Sequence, residues 1–535
     1  MDVRLGIDSA VLLLYFVLII SIGLYMGRKQ ENLKDFALGG RRIPWWAVLA
    51  SIIAAETSAG TFFGTPGEGF ALRNYTYLQL AIGTIIARIL VSYIFIKPYY
   101  DYKVYSIYEY LTARFGVPTK NAASAVFMIT RLLASGARLY VAAIALALAY
   151  EMISGGRPGQ TETLLIYIGS TIALVVLTAI YTTLGGIKAV IWTDFIQASI
   201  MMGSALVALG LLYSAIPGGW HEIVQRHGGF GVSDFLTTGL NPARTGWEKW
   251  KGMFEIEYTI FAGLIGSTFI TMSTHGTDQD MVQRMLTAPD IRRSRRSLML
   301  SGLPDIPIVL TFLSIGLLLW TYYQAHPDPT LPKTPNETFC HFILYEMPVG
   351  LRGLLIAGIF ATAMGSLSTA LNALATSFTR DWYESYVNRN ATSEQSLRAV
   401  RWATVWFAIL MIIVASTTSY LVIVHPNVRI IPIVLGIFGY TYGSLLGVFL
   451  CGIFTKRRGS NAGNIFAMIT GFLVVAILSG LPNNIAGLFG TTAYSQPSWL
   501  PVMEFPWWIC FGTIVTFCVA VLFKTCRQHY PPSVA

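Results

Sequence analysis

The feature that most constrains this chain is the recurrence of long apolar runs. A membrane-crossing helix needs about 20 mainly apolar residues, and such runs recur about thirteen times here. The connections between them are short and polar. The longest, residues 214–252, has few apolar clusters, so no separate soluble domain is expected. Hydrophobic residues make up 54% of the chain and charged ones only 12%, against about 25% charged in soluble domains. The expected class is an all-α polytopic membrane protein. The first run, Ala10 to Tyr25, lacks a basic leader and a cleavage site and is followed by Arg28 and Lys29, so it reads as a retained helix.

The formal net charge of +10 has a simple source. Lys and Arg gather in alternate connections, at 28–42, 97–120, 284–296, 380–401 and 456–458, and again at Lys524 and Arg527. Basic residues mark the cytoplasmic side, which places the N-terminus outside, the C-terminus inside and the chain in the plasma membrane. A nucleic-acid partner is not expected; the lipid bilayer is. Arg88, Arg131 and Arg138 are left at membrane depth. The five cysteines show neither a disulfide framework nor zinc spacing. No nucleophile, base or metal cluster of an enzyme is present, and only a short tail follows Phe523, too short for a sensor's signalling domain.

Two spans are interrupted by polar residues and glycine in comparable places: 45–66, which contains Ser51-Ile-Ile-Ala-Ala-Glu-Thr-Ser-Ala-Gly-Thr-Phe-Phe-Gly-Thr-Pro66, and 253–273, which runs into Phe261 to Gly276. A carboxylate at membrane depth is costly unless it faces protein or water, so Glu56 is a functional-site candidate. The two spans lie five crossings apart, and an odd step reverses orientation. This spacing predicts an inverted repeat with ligands held at broken helices near the midplane. The expected divisions are an extra helix at 7–27, a first repeat at 45–213, an inverted second repeat at 253–455 and two C-terminal helices within 464–524.

Four motifs then occur in order: Gly64-Thr-Pro-Gly-Glu-Gly69, Thr183-Leu-Gly-Gly-Ile-Lys-Ala-Val-Ile-Trp-Thr-Asp-Phe-Ile-Gln197, Gly276-Thr-Asp-Gln-Asp-Met-Val-Gln-Arg-Met-Leu286 and Ala361-Thr-Ala-Met-Gly-Ser-Leu-Ser-Thr-Ala-Leu-Asn372. With them, nearly the whole chain resembles the sodium:solute symporter family, whose members carry sugars, proline, pantothenate, iodide and monocarboxylates. The resemblance implies a LeuT-like core of 5+5 inverted repeats, functional as a monomer. It also implies a secondary active symporter that couples sodium to import of a small polar organic solute, an amino acid or carboxylate, by alternating access. Proton coupling on the same scaffold is the rival within transport; a membrane enzyme, channel or sensor is the rival outside it.

For sodium, the resemblance implies carbonyls of Ala54, Thr57 and Thr362 with the hydroxyl of Ser366, between core helices 1 and 8. Such hard oxygen ligands need no deprotonation. Sugar-type members carry a hydroxyl where this chain has Gly365, whereas iodide- and monocarboxylate-type members share the glycine. A second sodium site would use Asp194 with Ser368 and Thr369. Against these stand ordinary readings: Ser and Thr on membrane helices bond back to carbonyls one turn earlier, and Asp194 could be a helix-end residue. His275 is read as a gating or packing residue.

For the solute, position nominates Glu56, Thr61, Gln79, Arg138, Thr274 and Tyr440. Glu56 stands where proline-type members have aspartate and sugar-type members asparagine. The decisive pair is Glu56 with Arg138: an internal ion pair that a zwitterion could replace half by half. A permanent structural pair, or an Arg138 that snorkels to the interface, stays open.

Overall fold

A computed structural model describes residues 3–28, 30–57, 59–154, 159–227, 235–424, 436–487, 491–494, 497 and 500–525. Among them the chain is helical throughout its ordered elements, and the only β-type pairing is one isolated bridge between Arg458 and Lys524. The helices used below are α1 (Val3–Met26), α2 (Trp45–Glu56), α3 (Ala59–Leu72), α4 (Gln79–Ile94), α5 (Val117–Ser154), α6 (Gln160–Ser214), α7 (Ser267–Thr277), α8 (Gln279–Met285), α9 (Asp305–Ala325), α10 (Leu351–Phe378), α11 (Ser393–Val424), α12 (Ile437–Phe454), α13 (Asn461–Leu478) and α14 (Phe505–Leu522).

Ten helices among the described residues are long and apolar enough to cross a membrane, and the bent pair α2–α3 makes eleven. Geometry supplies two more. Helix α6 has 55 residues, or about 80 Å at the α-helical rise, more than twice a hydrocarbon core of about 30 Å. It breaks at Gly186, whose φ of 54° and ψ of −156° suit glycine alone, so it holds two crossings. The other is the seventh span, which differs from its expected limits. Trp247–Glu255 folds as a separate short helix, because Glu255 and Glu257 interrupt the apolar run, and the crossing begins with a π-helical turn at Ala262–Gly266 that continues into α7.

Helix α10 is the axle of the bundle, buried over most of its length between α6, α5, α1 and α11. Small residues explain this: Gly353, Ala357, Gly358, Ala361, Ala363 and Gly365 let neighbouring backbones approach closely, which is how helices associate without a hydrophobic driving force in lipid. The same device locks α3 against α9. A Cβ on Gly316 would lie 2.0 Å from the Pro66 carbonyl oxygen, and one on Gly69 would lie 2.4 Å from that of Leu313. The Gly64–Gly69 motif is therefore, in part, a packing surface that fixes the second half of the broken helix.

Lipid-facing positions are equally legible. On α4, Ile86, Ile89, Leu90 and Tyr93 are exposed while Gly83, Ala87 and Arg88 turn inward.

Candidate ion and solute sites

The break in the first core helix lies at Thr57, whose φ of −81° and ψ of 87° end α2. The chain then restarts as α3 at an angle of 57°. An α-helix leaves its last four carbonyls without an amide of its own, and Ala54 is one of these. Ala54 and Thr57 are both buried, and α2 packs against α10. On α10, the Thr362 carbonyl accepts the Ser366 hydroxyl at 3.0 Å, and among the described residues no donor uses the lone pairs of that hydroxyl. This set of neutral oxygens fits a hard monovalent cation.

The break in the second core helix differs from its expected place. Phe261 to Gly276 stays helical, and the chain turns at Asp278 (φ −100°, ψ 123°) before α8 begins. Asp278 caps α8 by accepting from the Asp280 amide at 2.9 Å, the usual role of aspartate at that position. Its other oxygen accepts from Tyr442 at 2.7 Å and from Arg131 at 3.0 Å. Arg131 also pairs with Asp280, and Asp280 pairs in turn with Arg284. Arg284 donates to Ser51 at 2.9 Å and reaches Asp194 at 3.4 Å, while Ser51 donates to Asp194 at 2.7 Å. One buried chain of charges thus joins α5, the turn before α8, α8 itself, α2 and α6. In a low-dielectric interior such charges persist only when fully paired.

Glu56, the last residue of α2, does not pair with Arg138. It pairs with Arg88 of α4, and its second oxygen lies 2.9 Å from His275 Nε2 on α7. Arg88 also holds Asp305, at 2.5 Å, and Asp305 accepts from Thr84 at 3.1 Å. The reason is reach: Arg88 is fully buried inside an apolar run and needs a carboxylate at that depth. The two it takes keep 22% and 17% of their side chains exposed. His275, expected to gate or pack, lies beside the Glu56 carboxylate.

Arg138 has no such partner. Its guanidinium lies over the Phe438 ring, 4.7 Å from the centroid, and among the described residues no carboxylate comes within ion-pair distance of it. Arg131 lies 5.5 Å from the same ring, but it is neutralised by Asp278 and Asp280.

The other nominated side chains are placed as follows. Thr61 is half-buried on α3. Gln79 is fully buried and spent: its amide nitrogen donates to Thr76 and Tyr258 carbonyls, each at 3.1 Å, and its oxygen accepts from the Thr237 amide at 3.2 Å. Thr274 hydrogen-bonds back to Ile270 at 3.2 Å and lies 3.1 Å from His275 Nδ1. Tyr440 stacks on Trp508 of α14, with ring centroids 5.0 Å apart, so its ring is used on the periphery. Ser368 donates to the Gly365 carbonyl at 3.0 Å. Thr369 donates to the Ser366 carbonyl at 2.8 Å and lies 3.4 Å from Asp280, not beside Asp194.

Sequence comparison settles what this arrangement belongs to. The model of the sodium:solute symporter family matches residues 36–471. The chain belongs to the sodium:solute symporter family. Among curated members of the family, the sodium/sialic acid symporter of Proteus mirabilis is 30% identical over 88% of this chain and 89% of its own length. Sodium-coupled monocarboxylate transporter 2 of Bos taurus is 25% identical over 87% of this chain and 72% of its own. A solved structure of a sodium-coupled sialic acid symporter, substrate-bound and outward-open, superposes with a TM-score of 0.77 at 25% identity, covering 98% of this chain and 99% of that one. The fold of a nucleobase-cation-symport-1 family transporter is also similar, with a TM-score of 0.53 at 12% identity.

Membership fixes the class. The protein is a multi-pass, sodium-coupled symporter with the LeuT-like inverted-repeat core, working by alternating access on sodium and a small solute, and it is not an enzyme.

Proposed function

We propose that this symporter imports a small organic anion whose carboxylate is gripped by Arg138, across the plasma membrane, with the N-terminus outside and the C-terminus inside. One observation carries the reading: Arg138 is a half-buried guanidinium with an aromatic ring beneath it and, among the described residues, no carboxylate beside it. A buried cation without an anion is costly, and an arginine offers the forked donors that a carboxylate fits. Sialic acid and monocarboxylates, the solutes named for the relatives, both carry that group.

The zwitterion expected from sequence has less support. Its amine would need Glu56, and that carboxylate is held by Arg88 and His275. Thr61, one turn beyond the break, is the neutral group we assign to the solute's polar remainder.

Sodium would bind at the first break through the carbonyls of Ala54, Thr57 and Thr362 with the Ser366 hydroxyl, and a second sodium at Asp194 beside Ser368. Placing a cation at the end of α2 fixes the turn that also carries Glu56 and leads into Thr61. Ordering this segment for one ligand lowers the cost of ordering it for the other, which is coupling.

The test is uptake into vesicles containing the purified protein, with labelled sialic acid, lactate, proline and glucose, in a sodium gradient and in choline at fixed pH. The reading expects sodium-dependent uptake of one of the two acids. Uptake of proline or glucose alone, or uptake of any solute that follows a pH gradient and ignores sodium, would overturn it. Ser366→Ala should raise the sodium concentration needed for half-maximal uptake; an unchanged sodium curve removes Ser366 from the site.

A further inference from the structure

Asp194 and Gln197 lie three residues apart on α6 and so share a face. Both are buried, at 0% and 2% exposure. One Asp194 oxygen, Oδ2, takes Ser51 and Arg284; the other, Oδ1, has no hydrogen-bond partner among the described residues. Gln197 directs its amide nitrogen to Tyr15 of α1, at 3.3 Å, and among the described residues its Oε1 has no partner either. A buried acceptor left unpaired costs about 1–3 kcal/mol, and native interiors hold few of them.

These two oxygens converge. A Cβ built on Gly365 of α10 would lie 3.2 Å from Gln197 Oε1 and 3.6 Å from Asp194 Oδ1. Two acceptors cannot satisfy each other; they need a donor or a cation between them. Both oxygens thus border the same space beside the Gly365 backbone, and carboxylate and amide oxygens are ligands that suit a hard cation. Ser368, whose hydroxyl donates to the Gly365 carbonyl, keeps its own lone pairs free for the same ion.

We propose that Gln197 Oε1 is a ligand of the second sodium site, standing in for the side-chain oxygen that Gly365 does not supply, and that glycine at 365 is what leaves room for it. The inference rests on the assignment of Asp194 to a second sodium site. It adds that α6 contributes two ligands rather than one. It also links α1 to ion binding, since Tyr15 holds the Gln197 amide with its oxygen inward.

The experiment measures labelled sodium binding to the purified protein, alongside the sodium-induced rise in melting temperature with choline as reference. Neither readout requires transport. Asp194→Asn should abolish one of two sodium ions bound per chain. Gln197→Met, nearly isosteric but without the oxygen, should weaken that ion by about tenfold. Gly365→Ser alone should also weaken it, because the new side chain meets Gln197 Oε1. Gln197→Ala combined with Gly365→Ser should recover most of the loss, by supplying a hydroxyl in the space vacated.

If Asp194→Asn leaves sodium binding unchanged, the second site itself fails. If Asp194→Asn abolishes the ion while Gln197→Met binds it as the parent does, or if the double variant stays as weak as Gln197→Ala, the site stands and Gln197 is not its ligand. A melting transition in choline like the parent's shows that each variant is folded. A variant that lacks one is replaced by Gln197→Leu, judged by the same curves.

Discussion

Arg88 and Arg138 are both arginines placed at membrane depth, yet they solve the cost of charge in opposite ways. Arg88 is enclosed by Glu56 and Asp305, with His275 completing the shell of Glu56. Among the described residues, Arg138 has nothing of opposite sign beside it; a phenyl ring supports it from one side. The first arrangement is self-sufficient and needs no ligand. The second is incomplete and waits for an anion. Sequence position cannot separate the two, because each is a cation in an apolar run with no acidic residue near it in sequence. What separates them is whether the neighbouring helices bring a carboxylate to the same depth.

Breaking Arg88 should have the largest effect. Arg88→Met leaves Glu56 and Asp305 facing each other without a cation, and breaking a buried ion pair from one side costs about 3–5 kcal/mol. We expect loss of the monodisperse folded species, measured by size exclusion and melting temperature, before any transport is assayed. Replacing all three charges at once, with Arg88→Met, Glu56→Gln and Asp305→Asn, should restore most of the stability, since no charge is then stranded. A stable Arg88→Met single variant would mean that the cluster is not structural.

Arg138→Ala should behave in the contrary manner. With no ion-pair partner to strand among the described residues, its melting temperature should stay near the parent's, while solute affinity falls. A charge-assisted hydrogen bond contributes about 1.5–3 kcal/mol, which is a rise in KM of about 10- to 150-fold. Arg138→Lys should recover only part, because an ammonium lacks the fork. If Arg138→Ala transports normally but melts early, Arg138 is structural and the anion reading falls.

The helical class and most of the crossings were legible because apolar runs act locally, whereas the second helix break, expected within Phe261 to Gly276, falls at Asp278. The first helix break was legible for the same reason, since Gly, Ser and Thr crowd into Ser51–Pro66. The partners of buried charges were not. Glu56 and Arg88 are 32 positions apart, and Arg88 and Asp305 are 217 apart, so nothing local joins them. The usable signal was depth: an arginine in the run Ile85-Ile86-Ala87-Arg88-Ile89-Leu90 demands a carboxylate, and Asp305 in Leu303-Pro-Asp-Ile-Pro307 is an acidic residue at the start of another span. The Gly276 to Leu286 motif identified the family but concealed its physical work, which is to supply Asp278, Asp280 and Arg284 to one buried network. Gln79 and Tyr440 were placed near the solute by helix position alone. Gln79 is bonded on both sides of its amide, and Tyr440 turns its ring to the last helix.

The smallest expected effect sharpens the contrast further. Phe438 lies under both Arg131 and Arg138, so Phe438→Leu removes a cation–π contact from each, worth about 0.5–2 kcal/mol. The two arginines should not respond alike. Arg131 remains fixed by Asp278 and Asp280, whereas Arg138 loses the ring contact that orients it. Phe438→Leu should therefore raise KM for the acidic solute severalfold and leave the sodium curve unchanged, because the charge network that reaches Asp194 is intact. If the sodium curve shifted instead and KM did not, Phe438 would be supporting Arg131, and Arg138 would need another anchor.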